Sequence, residues 1–131
     1  MRVHHYGFAT KSIEKSLKPF LSLGYSISSD KIFDPLQGVN LLFLKNENDH
    51  LIELVEPAQI DNPISKILSK LGSSLYHICY EVDSFDKVIE ELKKQRFVQI
   101  TAPTPAVAFQ GRRVCFLYNP AMGLIELLEN I

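Results

Sequence analysis

Little charge of either sign is left over in this 131-residue chain: fourteen Lys and Arg stand against fifteen Asp and Glu, a formal net charge of −1. So even a balance provides no global field to gather nucleic acid or an anionic membrane, and leaves room only for a local basic pocket. Cysteine is scarce as well. The two present, Cys79 and Cys115, form no CxxC pair, which argues against zinc ribbons and redox dithiols and predicts two buried free thiols. No apolar run approaches the eighteen or so residues that span a bilayer, and the opening MRVHHYGFA lacks the basic-then-apolar layout of a secretory leader. A cytoplasmic protein is expected. What the chain does have is apolar residue, 46% of the total, enough to build the core of one small domain over residues 1–131.

The sequence also repeats itself. LIELVE at 51–56 returns as LIELLE at 124–129, and a shift of 72 residues lays VHHYGFATKSIEKSL over LYHICYEVDSFDKVI. Under that shift His5 falls on His77, Phe8 on Tyr80, Ser12 on Ser84 and Leu17 on Ile89; one further residue of slippage brings Glu53 onto Glu126. A duplicated supersecondary unit follows. In the first copy, a strand over 3–9 leads to a helix capped by Ser12, with Ile13, Leu17, Phe20 and Leu21 at helical spacing, a stop at Gly24, and Pro19 as a candidate kink. Strands over 25–33, 39–45 and 50–56 complete it. The second copy has a strand over 75–82, a helix over 84–95 and strands near 97–101, 106–109, 113–118 and 123–129. Residues 58–73 link the copies through a short helix over 64–71. The fold class is α+β: two tandem modules of strand, helix and three strands, about 1–57 and about 74–131.

Each LIEL strand raises a chemical problem. Glu53 shares its strand face with Leu51 and Val55, and Glu126 with Leu124 and Leu128. A carboxylate buried among such neighbours costs several kcal/mol unless something neutralises it. His5 shares a face with Gly7 and Ala9, and His77 with Cys79, small neighbours that leave room beside each imidazole. Taken singly, a strand histidine is more often a hydrogen-bonded core residue and a strand glutamate more often faces solvent. Four that match across a repeat point instead to one divalent metal held by His5, Glu53, His77 and Glu126. Two nitrogen and two oxygen donors leave open positions for water or substrate and suit Ni²⁺, Co²⁺, Zn²⁺, Mn²⁺ or Fe²⁺ without choosing among them. His4 and His50 have no counterparts and are expected at the surface or in turns. Glu56 and Glu129 also repeat, but on the opposite strand face, and read as structural. Arg112 and Arg113, after a glycine, fit either an anionic substrate tail or an exposed turn.

With VHHYGFA, HLIELVEP, LYHICYEV and GLIELLE in these places, the chain resembles the vicinal oxygen chelate superfamily over essentially its whole length, in the branch of glyoxalase I and methylmalonyl-CoA epimerase. The resemblance implies βαβββ modules whose curved mixed sheets enclose a metal-centred cleft, with a homodimer as the assembly and a small-molecule substrate such as a thioester or thiohemiacetal. It implies a metal-dependent lyase or isomerase that removes a proton next to a carbonyl and returns it through an enediolate or enolate. Glu126 or Glu53 would be both ligand and base, in a lactoylglutathione lyase-like or acyl-CoA epimerase-like reaction. The pattern departs from similar epimerases at Leu36, where they carry a glutamate, and at Gln110, where they carry a histidine. It departs from glyoxalase I at Ala9, where an arginine holds glutathione. Two other readings go with the fold: a non-catalytic binding or resistance protein, and an extradiol-type dioxygenase.

Overall fold

Strand and helix periodicities alternate twice in the computed structural model, which describes every residue from Met1 to Ile131. The chain forms two compact units, one of residues 5–76 and one of residues 1–4 with 77–131. No helix is long and apolar enough to cross a membrane.

The first unit contains most of β1 (Arg2–Ala9), then α1 (Ile13–Ser22), β2 (Ser26–Ile27), β3 (Ile32–Asp34), β4 (Val39–Lys45), β5 (Leu51–Pro57) and α2 (Ile64–Leu71). β5 lies between β1, which runs parallel to it, and β4, which runs antiparallel. β2 and β3 pair in turn with the outer edge of β4. Strand side chains alternate between faces. Leu42, Leu44, Ile52 and Leu54 therefore all turn to one side, where Ile13, Leu17 and Phe20 of α1 cover them. Leu44 and Leu54 have no exposed surface, and each such burial contributes about 1.5–3 kcal/mol.

α1 begins as the sequence predicts: the Ser12 side chain accepts a hydrogen bond from the Lys15 amide. Pro19 sits inside the helix, which nonetheless continues to Ser22. The exit is closed at the other end, where Gly24 adopts φ +91° and its amide donates to the Leu21 carbonyl. α2 spans the predicted residues. The single strand expected over 25–33 is instead two short ones. Between them the Ser28 amide donates to the Phe43 carbonyl, and the Phe43 amide donates to the Ser29 hydroxyl, so a side chain takes the place of a ladder carbonyl.

The second unit contains most of β6 (Ser74–Val82), then α3 (Phe85–Lys94), β7 (Val98–Gln99), β8 (Thr104–Pro105), β9 (Arg113–Asn119) and β10 (Gly123–Glu129). The plan of the first unit recurs: β10 lies between parallel β6 and antiparallel β9. Cys115, Leu117, Ile125 and Leu127 face α3 and pack with Phe85 and Ile89. Both cysteines are buried free thiols, as expected. The interruption recurs too. The Ile100 amide donates to the Phe116 carbonyl, and the Phe116 amide to the Thr101 hydroxyl. The strand expected over 106–109 is a single 3-10 turn, Val107–Phe109, followed by Gln110 at φ +56° and Gly111 at φ +84°. The repeat shows why. Thr101 lies 72 residues after Ser29 but Gly111 lies 73 after Gly38, so the second copy carries one extra residue here, and this irregular segment absorbs it.

Candidate active site

Within the first unit, Glu53 is opposite Gly7 on β1 and opposite Phe43 on β4. Within the second, Glu126 is opposite Cys79 on β6 and opposite Phe116 on β9. Both glutamates lie on the face turned away from the covering helix. Strand alternation puts His5, two residues before Gly7, and His77, two before Cys79, on those same faces. The result is the same constellation in each unit. His5 Nε2 is 3.6 Å from Glu53 Oε1, and His77 Nε2 is 3.3 Å from Glu126 Oε1. All four side chains are at least nine-tenths buried.

Each imidazole also meets an aromatic edge. The His5 and Phe43 rings are 5.4 Å apart at 81°, and the His77 and Phe116 rings 5.3 Å apart at 84°. Sequence reasoning missed these two phenylalanines. The signal was present, because a shift of 73 brings Phe43 onto Phe116 just as it brings Glu53 onto Glu126. An aromatic in an apolar strand reads as core until the strand opposite it is known.

The donor sets fit a divalent cation. Two donors each about 2.1 Å from one ion, at about a right angle, stand roughly 3 Å apart, a little less than the 3.6 and 3.3 Å separations here, so a small closure around an ion brings each pair to ligand distance. Neutral imidazole nitrogen with carboxylate oxygen is a mixed set that first-row divalent metals accept.

The remaining expected residues sort cleanly. Glu56 is structural: its carboxylate accepts from the Ile13 amide at the start of α1 and from Asn40, and pairs with Lys31 at 3.1 Å. Burial pushes this carboxyl up, but those donors outweigh it and hold it below its ordinary range. Glu129, its repeat mate, is held low chiefly by hydrogen bonds from Arg113, which also reaches Asp86 and lies over the Phe85 ring at 4.9 Å. Arg112 is equally engaged, with its guanidinium on Glu81 and its Nε–H donating to the Glu129 carbonyl at 2.7 Å. Both arginines therefore serve the fold. Glu81 is a buried carboxylate that the sequence did not reveal. Burial raises its pKa, yet Arg112 and Arg2 together bring it below the ordinary value.

His50 sits in the exposed turn before β5, as expected, but His4 is half-buried and lies edge-on to Phe109, 5.3 Å between centroids. The strand over 3–9 is as expected, and it is the Phe109 ring packed against His4 that takes this side chain off the surface. Of the three positions lacking the usual substrate handles, Leu36 projects from the β3–β4 turn with 71% of its surface exposed. Asp34 braces that turn by accepting from the Leu36 and Gln37 amides. Gln110 is exposed, and Ala9 is fully buried.

Comparison with known proteins bears on the family and the fold. Residues 4–116 match the family model described as the Glyoxalase/Bleomycin resistance protein/Dioxygenase superfamily. The chain is 30% identical over 131 residues to a mitochondrial methylmalonyl-CoA epimerase of Dictyostelium discoideum, covering 98% of this chain and 78% of that one. It is 28% identical to the human mitochondrial methylmalonyl-CoA epimerase, covering 96% of this chain and 72% of the relative. Among solved structures, a hypothetical protein from Bacillus halodurans superposes with TM-score 0.87 at 30% identity, over 99% of this chain and 94% of that one. A Streptomyces coelicolor methylmalonyl-CoA epimerase in complex with 2-nitronate-propionyl-CoA superposes with TM-score 0.82 at 21% identity, over 99% and 97% of the two chains.

Proposed function

Because this chain belongs to the Glyoxalase/Bleomycin resistance protein/Dioxygenase superfamily, we propose that it is an acyl-CoA epimerase that removes the proton next to a thioester carbonyl and returns it to the opposite face of the same carbon. One observation carries the reading: each unit buries one histidine and one glutamate in the same strand register, beside the same aromatic edge. The relatives favour this reaction over a lactoylglutathione lyase, since the curated ones with an assigned activity are epimerases.

In this proposal His5, Glu53, His77 and Glu126 would hold one divalent metal, which would supply Lewis-acid polarisation of a carbonyl. The chain's own residues do the rest. Glu53 and Glu126 are the bases, one carboxylate taking the proton and the other returning one; exchange of this kind by a positioned carboxylate contributes roughly 10²–10⁴-fold. His5 and His77, held edge-on to phenylalanines, aim their Nε2 atoms at the place beside each carboxylate oxygen where the ion would sit. The apolar strand neighbours keep bulk water from the departing proton. The expected homodimer and cytoplasmic location belong to the same proposal.

The experiment is incorporation of deuterium from D₂O at carbon 2 of methylmalonyl-CoA, followed by NMR, alongside elemental analysis of protein purified without an affinity tag. About one metal per chain, lost in His77→Ala, with exchange of one C2 epimer lost in Glu126→Gln and of the other in Glu53→Gln, is the expected result. Exchange at the uncatalysed rate with a metal-loaded protein would falsify the epimerase reading.

A further inference from the structure

The face that carries His77 and Glu126 continues past them. One step along the β9–β10 ladder from the Phe116 and Glu126 pair, Tyr118 is opposite Leu124, and on the outer side Val98 of β7 is opposite Tyr118. Residues opposite one another, or two apart on a strand, share a face. Leu124, Tyr118 and Val98 therefore form an apolar shelf that starts beside Glu126 and ends at the edge of the sheet. α3 packs on the other side of these strands, so the shelf lies open. Val98 has 57% and Tyr118 41% of its surface exposed, and Ile100, 54% exposed, borders it through its amide bond to the Phe116 carbonyl. An edge strand in water is normally kept polar, which makes this surface costly unless it is used.

Duplication does not account for it. In the first unit the same pairings join Ser26 to Lys45 and Lys45 to Leu51. Two of the three corresponding positions are polar there, so the apolar shelf is a property of the second module alone.

We propose that the shelf of Leu124, Tyr118 and Val98 binds an uncharged hydrocarbon chain attached to the reacting carbon of an acyl thioester, an inference that rests on the epimerase reading above. Leu124 and Glu126 lie two residues apart, roughly 7 Å along the strand, within reach of a short aliphatic chain whose first carbon is at the carboxylate. The acyl side chain is the part of such a substrate with this chemistry, because the arm on the sulfur side carries amides and is not attached to the reacting carbon.

Isothermal titration of the full chain with acetyl-, butyryl- and hexanoyl-CoA, and with the butyryl thioester of N-acetylcysteamine, separates them. Val98→Ser and Tyr118→Ser change exposed side chains that leave the fold intact, which circular dichroism checks. If the acyl chain lies on the shelf, affinity rises about tenfold from acetyl- to hexanoyl-CoA and that rise vanishes in both variants. Variants that weaken all CoA thioesters about equally and leave the N-acetylcysteamine thioester unchanged would put the sulfur-side arm there instead and overturn the proposal. Variants that bind every thioester as the wild type does overturn the proposal while deuterium exchange by the wild type keeps the epimerase reading. Unchanged affinity with an altered sedimentation coefficient overturns it in favour of an interface between copies. A wild type that neither exchanges deuterium nor binds any thioester overturns both.

Discussion

Ser29 and Thr101 do the same work at matching positions, each hydroxyl accepting from the amide of the phenylalanine that meets an imidazole edge-on. Removing either hydroxyl leaves a main-chain donor to find water or go unmatched, at about 1 kcal/mol. Thr101→Val is expected to lower stability by that amount in urea, and Ser29→Ala to do likewise. Glu81 gives a residue-scale prediction of a different kind. Its carboxyl is held below the ordinary value of 4.5 despite burial, because Arg112 and Arg2 favour the charged form. A lowered folded-state pKa stabilises above the unfolded value, and the contribution is lost as pH falls through the folded one. Glu81→Gln should therefore be less stable than wild type at pH 7, with the gap closing as pH is taken below 4; a gap that stays constant over that range would show the pair contributes nothing. The buried ligand candidates were legible from sequence because each glutamate sat among leucines. Glu81 was not, since its partners lie far off in the chain, at Arg2 and Arg112.

At the scale of elements, the long strands and all three helices follow from periodicity, with a serine cap marking α1, and the short outer strands do not. β2, β3, β7 and β8 are broken where hydroxyls intervene, a feature of pairing rather than of local sequence. The 3-10 turn at Val107–Phe109 was misread as a strand because its apolar residues, taken alone, fit a short strand; only the one-residue offset between copies betrays it. The β3–β4 turn is held against the segment after β5. Gly38 has φ +68°, and its carbonyl accepts from the Ala58 and Gln59 amides. A Cβ there would come within 2.5 Å of the Asp61 carbonyl oxygen. Gly38→Ala meets both the backbone penalty and the clash, so a loss of about 1–3 kcal/mol is expected in chemical denaturation; unchanged stability would mean the clamp yields at no cost.

For the whole molecule, a net charge of −1 means that a polyanionic thioester, the substrate in the proposed reaction, is not drawn in from afar. Its kcat/KM should then fall by less than about threefold between about 50 and about 300 mM salt, since screening has little long-range attraction to remove. A steep fall would reveal local steering by lysines such as Lys45. The duplication itself was readable before any coordinates, because repeat, ligand candidates and strand order reinforce one another. Which strand flank stays apolar was not, since that depends on cross-strand partners such as Val98 and Tyr118.

The one-residue offset between the copies says something about descent. Every ladder position in β4, β5, β9 and β10 alternates between a helix-packed side and a carboxylate-bearing side, so losing or gaining one residue within a strand would invert the two. The chain has nonetheless gained one, and it lies between Thr101 and Gly111, outside the paired stretches of the long strands. Odd-numbered length changes are thus confined to connecting segments, and a comparison of deletion libraries should find single-residue losses tolerated over 106–111 and eliminated over 113–118 and 124–128.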